Sequence, residues 1–172
     1  MQHSSSLKCL YKQLSKPGER PKVNVIRKQQ SINSDYLIRA ISEYLGVPVY
    51  RVVGRGRNLK LADELLDLAN QLSEVFAIPP PNLTDWEQAI AETCKLVRKG
   101  DCVLFIDDIE ILAGKHDDIA DALWTWWEQW LKNATGFTLI FASADNTWLD
   151  EHITFSPGWY GRLSFAGAIT EG

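Results

Sequence analysis

Apolar positions along the chain alternate between a helical and a strand period, and the switches divide it into short, regular elements. Residues 7–16 place Leu7, Leu10, Tyr11 and Leu14 on one helical face, and Pro17-Gly18 stops that helix. A short strand over 21–26 and a polar connection over 31–33 follow. From Ser34 or Asp35, either of which is a good cap, Tyr36, Leu37, Ile38, Ile41, Tyr44 and Leu45 predict a helix ending at Gly46. A second strand spans 47–53, and Gly54-Arg55-Gly56-Arg57 reads as a turn with a solvated basic edge. Asn58 is the expected cap of a long helix whose apolar face comprises Leu61, Leu65, Leu68, Ala69, Leu72, Val75 and Phe76. After the stiff segment Ile78-Pro79-Pro80-Pro81, Thr84 caps a further helix, Glu87 completes a capping box, and Trp86, Ile90, Cys94 and Val97 follow.

The stretch Cys102-Val103-Leu104-Phe105-Ile106-Asp107-Asp108 is an apolar run ending in adjacent carboxylates. It reads as a buried strand of a parallel sheet whose carboxyl end opens into a crevice. Such a strand can bring one carboxylate near magnesium and a second near an attacking water. The plainer alternative is that one Asp caps the next segment and the other faces water. Asp117 or Asp118 then caps a helix with Ile119, Leu123, Trp126, Trp127, Trp130 and Leu131 along its apolar side. Trp124 falls toward the other side, either as a partner-facing aromatic or packed beneath a neighbouring loop. A strand over 138–143 ends at Ser143-Ala144-Asp145, facing the same crevice, and a turn-rich segment over 155–162 leads to an edge segment over 163–169. The succession predicts an α/β fold: a three-layer, open, mostly parallel sheet with helices on both faces.

A length of 172 residues suits one substantial core, so a single domain over 1–172 is expected. Cys9, Cys94 and Cys102 have no metal-like spacing and point to a reducing compartment. The polar amino end and the absence of an 18-residue apolar run predict a cytoplasmic protein with no membrane span. Charge is segregated: residues 1–60 hold 12 Lys or Arg and 3 Asp or Glu, whereas residues 101–172 hold 3 and 12. The two halves can attract each other or a second copy, or expose a basic face. Nucleic-acid binding through Arg51, Arg55, Arg57 and Lys60 is one candidate function, although aromatic interleaving and a helix-turn-helix pattern are both missing. His3, His116 and His152 lack ligand spacing, and no Gly-x-Ser-x-Gly elbow accompanies Ser143.

Strand, loop and helix meet at residues 27–34, where a phosphate-binding loop would be expected. Such a loop needs glycines for close backbone approach, a Lys for the terminal phosphates and a Ser or Thr for magnesium. Arg27-Lys28-Gln29-Gln30-Ser31-Ile32-Asn33-Ser34 has no glycine and no Gly-Lys-Ser/Thr. Arg27, Lys28 and the amides opening the following helix are the candidates for holding an anion.

The pieces Trp86-Glu87, Val103 to Asp108 with Ile109-Glu110-Ile111-Leu112, Leu123 with Trp124 or Trp127, Leu139 to Ala144, Trp148, and Pro157-Gly158-Trp159-Tyr160-Gly161-Arg162 extend over nearly the whole chain. Together they resemble the core of a prokaryotic family of AAA-type ATPases related to the archaeal ATPases. The resemblance implies P-loop NTPase topology with a Walker B-like strand, and ATP and Mg as cofactors. It would make Asp107 the magnesium ligand and Asp108, where the family usually has Glu, the residue orienting water. Ser143 or Asp145 would sense the terminal phosphate, and Arg162 would approach a nucleotide of this or an adjacent subunit. The phosphate loop (Walker A) is degenerate, and the family normally continues into a helical lid beyond the point matching Gly172, so truncation or a fragment is also expected. The leading expectation is a degenerate AAA-like interaction or regulatory module with weak or absent ATP hydrolysis and a protein partner or self-association. The alternative is an ATP-binding protein or ATPase with an atypical loop.

Overall fold

A computed structural model describes residues 5–14, 22–29, 32–55, 59–97, 102–113, 122–125, 127–131, 137–157, 159, 163 and 165–169. Five parallel strands form one sheet in the order β2-β3-β4-β1-β5: β1 (Lys22–Lys28), β2 (Val49–Val53), β3 (Cys102–Asp107), β4 (Phe137–Ser143) and β5 (Phe165–Ile169). Among the described residues every strand pairing is parallel, and the side chains divide by the two-residue alternation of the pleat. Ile26, Val103, Phe105, Ile140 and Ala142 pack against α1 (Ser5–Leu14) and α2 (Ser34–Leu45). Val23, Val25, Val52, Leu104, Ile106, Leu139 and Phe141 pack on the other face against α3 (Leu61–Phe76) and α4 (Trp86–Val97). All six residues of β3 are buried, as a central strand covered on both faces requires. The three-layer α/β architecture expected from the sequence is the one observed. Among the described residues no helix is long and apolar enough to cross a membrane.

Boundaries differ from expectation where short-range chemistry competes. β1 continues through Arg27 and Lys28, so these two residues are strand and not loop. The N-cap of α2 is Asn33, whose side chain accepts from the Asp35 amide at 2.8 Å, in place of Ser34 or Asp35. At α4 the expected Thr84–Glu87 box is shifted by one residue: Asp85 accepts from the Gln88 amide at 2.7 Å, and the Thr84 amide donates to the Gln88 side chain at 2.9 Å. α3 is preceded by Lys60 without a side-chain cap, and Asn58 lies outside the described residues, as do Asp117 and Asp118. Gly46 ends α2 at φ 67°, the left-handed turn expected of it.

The later part of the chain closes the α3/α4 face around Trp159, which is fully buried. Trp124 meets it edge-on at 5.4 Å between ring centroids, Phe141 does so at 5.6 Å, and Trp127 lies tilted at 5.6 Å. Trp124 therefore packs within the fold, the second of its two expected placements. Helical residues 122–125 and a π-helical turn (Trp127–Leu131) carry two of these rings, while α5 (Ile109–Ala113) follows β3 directly and α6 (Asn146–Leu149) follows β4 and runs into a second π-helical turn (Asp150–Thr154).

One side chain completes the sheet. Gln71 of α3 is buried, and its amide accepts from the Val53 amide at 2.8 Å and donates to the Val53 carbonyl at 2.7 Å. The same amide nitrogen donates to Asp67 at 2.8 Å. Gln71→Leu keeps the volume and leaves both Val53 groups unpaired, so a loss of about 1–3 kcal/mol in urea-denaturation stability is expected; an unchanged midpoint and slope would show that these bonds contribute nothing.

Candidate functional site

The pleat gathers charge at the carboxyl end of the sheet. Lys28 lies two residues beyond Ile26 on β1, Asp107 two beyond Phe105 on β3, and Arg51 on β2 alternates with the oppositely facing Val52. All three project toward α2. Between β1 and β3, β4 offers Ala142 in register with both Ile26 and Asp107. Its small side chain lets Lys28 reach across a whole strand.

Lys28 Nζ lies 2.5 Å from Asp107 Oδ1 and 2.7 Å from Asp108 Oδ1, and it donates to Ser34 Oγ at 3.3 Å. An ammonium has three N–H donors, and three acceptors face this one. Arg51 Nη2 donates to Asp107 Oδ2 at 2.7 Å and Nη1 to Asp35 Oδ1 at 2.8 Å, while the Asp108 amide donates to Asp107 Oδ1 at 3.0 Å. Asp107 is 0% exposed. Burial opposes its charge most strongly, but hydrogen bonds from Lys28, Ser34 and Arg51 together with the Lys28 charge prevail and hold its carboxyl below the ordinary range. Burial likewise opposes the charge on Lys28, and the two Asp carboxylates more than offset it, raising the ammonium's pKa. Both groups are held ionised as a buried pair.

The turn after β3 shapes the pair. Asp108 sits at φ 48°, a left-handed conformation costing a non-glycine residue about 1 kcal/mol. Its carbonyl accepts from the Ile111 and Leu112 amides at 2.9 and 3.1 Å, and its carboxylate is anchored on Lys28. Gly54 makes room for this turn: its amide donates to the Asp107 carbonyl at 2.9 Å, and a Cβ would strike the Asp108 carbonyl oxygen and the Leu112 amide. The first glycine of the basic turn thus has a packing role.

A second carboxylate group adjoins the first. Ser143, at the end of β4 and 0% exposed, donates to Glu110 Oε2 at 2.5 Å and accepts from the Asp145 amide at 2.9 Å. Burial raises the Glu110 pKa and the Asp108 charge adds to this, while the Ser143 bond and the Lys28 charge offset part of it.

Of the residues singled out in the sequence, Lys28, Asp107 and Asp108 meet in one cluster, and Ser143 bonds to Glu110, whose carboxyl feels the charges of Asp108 and Lys28. Asp145 is exposed and caps α6, its carboxylate accepting from the Trp148 amide at 3.0 Å. Arg27 points to the opposite face of the sheet and is paired with both carboxylate oxygens of Asp150. Arg162 lies outside the described residues, as does Arg57. Arg55 approaches Asp67 at 3.8 Å. Sequence reasoning missed Arg51 as a partner of Asp107, Ser34 as more than a cap, and Glu110 altogether. A charged residue on the inward side of a strand was the available signal for Arg51.

The cluster does not fit a magnesium nucleotide as it stands. The stretch 27–34 offers no glycine amides, Asn33 occupies the cap of α2, and the Lys28 ammonium fills the space between Asp107, Asp108 and Ser34. Among the described residues no three His, Cys, Asp or Glu side chains are arranged to hold a metal ion.

The sequence profile of the ATPase family associated with various cellular activities (AAA) matches residues 36–157. The Walker-type ATPase PABY2304 of Pyrococcus abyssi has a similar fold, with a TM-score of 0.62 at 14% identity, over 96% of this chain and 52% of that one. This chain therefore spans about half the length of that protein. No curated protein sequence matches it.

Removing one member of a buried ion pair strands the other, so Asp107→Asn or Lys28→Met is expected to cost on the order of 3–5 kcal/mol in denaturant unfolding. A cost below about 1 kcal/mol would mean the pair is not buried in solution. Glu110 behaves oppositely. Its folded pKa lies above its unfolded value, so the folded protein takes up the proton first, and stability rises as pH falls between the raised and the ordinary value. Glu110→Gln should remove that rise and leave the loss at still lower pH, where Asp107 must protonate. Identical pH profiles of melting temperature for the two proteins would refute the assignment.

Proposed function

Because the chain belongs to the AAA family of ATPases, the matched span covering well over half of it, we propose that it is a divergent AAA module that acts through protein contacts and has little or no ATP hydrolysis of its own. The observation that carries this reading is the self-pairing of its cations: Arg27 with Asp150, Lys28 with Asp107 and Asp108, Arg51 with Asp107 and Asp35. A polyphosphate would have to displace carboxylates that are already desolvated and hydrogen-bonded. The family match begins at residue 36, past the 27–34 stretch that would hold the phosphates, which is in keeping with divergence there. The segregated charge of the two ends of the sequence supports association with a partner or a second copy.

A second reading, nucleotide held without efficient turnover, draws support from Ser34, which is buried in the first turn of α2 with its hydroxyl against Asp107, as a magnesium-ligating hydroxyl would be. Asp108, one methylene shorter than the usual Glu, would then orient water poorly. Nucleic-acid binding is less well supported, since Arg51 is committed to two carboxylates.

Phosphate release from Mg-ATP by the purified chain is expected to stay at background and to be the same for Asp108→Asn. Calorimetric titration should show no micromolar Mg-ATP binding. Release that Asp108→Asn abolishes, or micromolar binding that Asp107→Ala removes, would replace this reading with that of an ATPase or nucleotide-binding protein.

A further inference from the structure

We propose that the Lys28 ammonium, seconded by Arg51, is a tethered substitute for the divalent cation, and that Asp107, Asp108 and Ser34 form a divalent-cation site that Lys28 keeps closed by occupying it. The inference deepens the reading above and rests on it for the kind of ion replaced. Three observations carry it independently of any titration. The ammonium contacts the two carboxylates at 2.5 and 2.7 Å and the hydroxyl at 3.3 Å, so all three oxygens converge on one point already occupied by positive charge. Lys28 and Arg51 together contribute two positive charges to Asp107, the charge of one divalent ion, and they do so on its two different oxygens. Lys28 also comes from the wrong strand position for a phosphate ligand. It is the last residue of β1, six residues before Ser34, and it reaches Asp107 across the intervening strand β4.

Two carboxylates and a hydroxyl, completed by water, are a donor set that magnesium or manganese accepts. The oxygens stand farther from the ammonium nitrogen than the roughly 2.0–2.1 Å of a magnesium bond, so a metal would draw them inward. Asp108 is able to follow, because it lies in a turn and is 28% exposed, whereas Asp107 is fixed by β3 and by Arg51. The ammonium and the metal ion thus exclude one another.

The test uses Mn(II) alone, with no nucleotide, read by the electron paramagnetic resonance of the free ion. Wild-type chain is expected to leave millimolar Mn(II) essentially free. Lys28→Met should bind about one ion, on the order of 100-fold or more tighter than wild type, and Lys28→Met/Asp107→Asn should lose it again. Lys28→Gln, whose amide can still bond to the carboxylates, should bind less tightly than Lys28→Met. If Lys28→Met is unfolded in buffer, Mn(II) should restore its circular dichroism, because the ion supplies the missing charge. Wild-type binding as tight as that of Lys28→Met, a folded Lys28→Met that binds no Mn(II), an unfolded one that the metal does not rescue, or binding that survives Asp107→Asn would each overturn the proposal. The functional reading is judged separately: Mg-ATP turnover by wild type would overturn that reading, whereas the metal-only results bear on Lys28 alone.

Discussion

A carboxylate that is wholly buried at the end of an interior strand is the constraint on which the rest of this site depends. Charged Asp107 cannot remain out of water without partners, and every neighbouring feature can be read as a means of supplying them. β1 runs on to Lys28, β2 turns a guanidinium inward at Arg51, α2 starts on a serine, and β4 presents an alanine at the level the lysine must cross. These four elements are fixed in position by an apolar sheet packed on both faces. The charge cluster is therefore a consequence of the strand order as much as of the residues, since β1 and β3 are separated by β4 and only a long side chain spans the gap.

The layer architecture was legible because strands buried on both faces have to be apolar runs, and Cys102–Asp107 is such a run. Helix faces were equally plain: Leu65, Leu68, Ala69 and Leu72 are buried as their spacing requires. The ends of elements were less so. The apolar pattern of β1 stops at Ile26, and the charged Arg27 and Lys28 continue the strand, each held by a partner brought close by the fold. Helix caps moved by one residue where Asn33 and Asp85 outcompeted neighbours of similar capping strength. The pairing of Lys28 with Asp107 joins residues 79 apart in sequence, and no local pattern contains it.

The sheet and the position of the crevice go with the AAA match and with the fold shared with the archaeal ATPase. The cations Lys28 and Arg51 facing the crevice are turned inward on acidic neighbours. Ser143 shows the same tendency, its hydroxyl directed at Glu110 and its oxygen accepting from the Asp145 amide. The crevice is polar and, among the described residues, its charges are paired with one another, while Arg51 Nε is buried without a hydrogen-bond partner.

Gln71 has a consequence at the β2 margin of the sheet. β2 is an outer strand, and since the Gly54 amide bonds inward to β3, the backbone groups of Val53 are those directed outward. With both of them held by a side-chain amide, Val53, beside the charge cluster, has no free backbone group with which to recruit a strand from another molecule. A strand of another copy that met this edge would find its bonds to Val53 already taken.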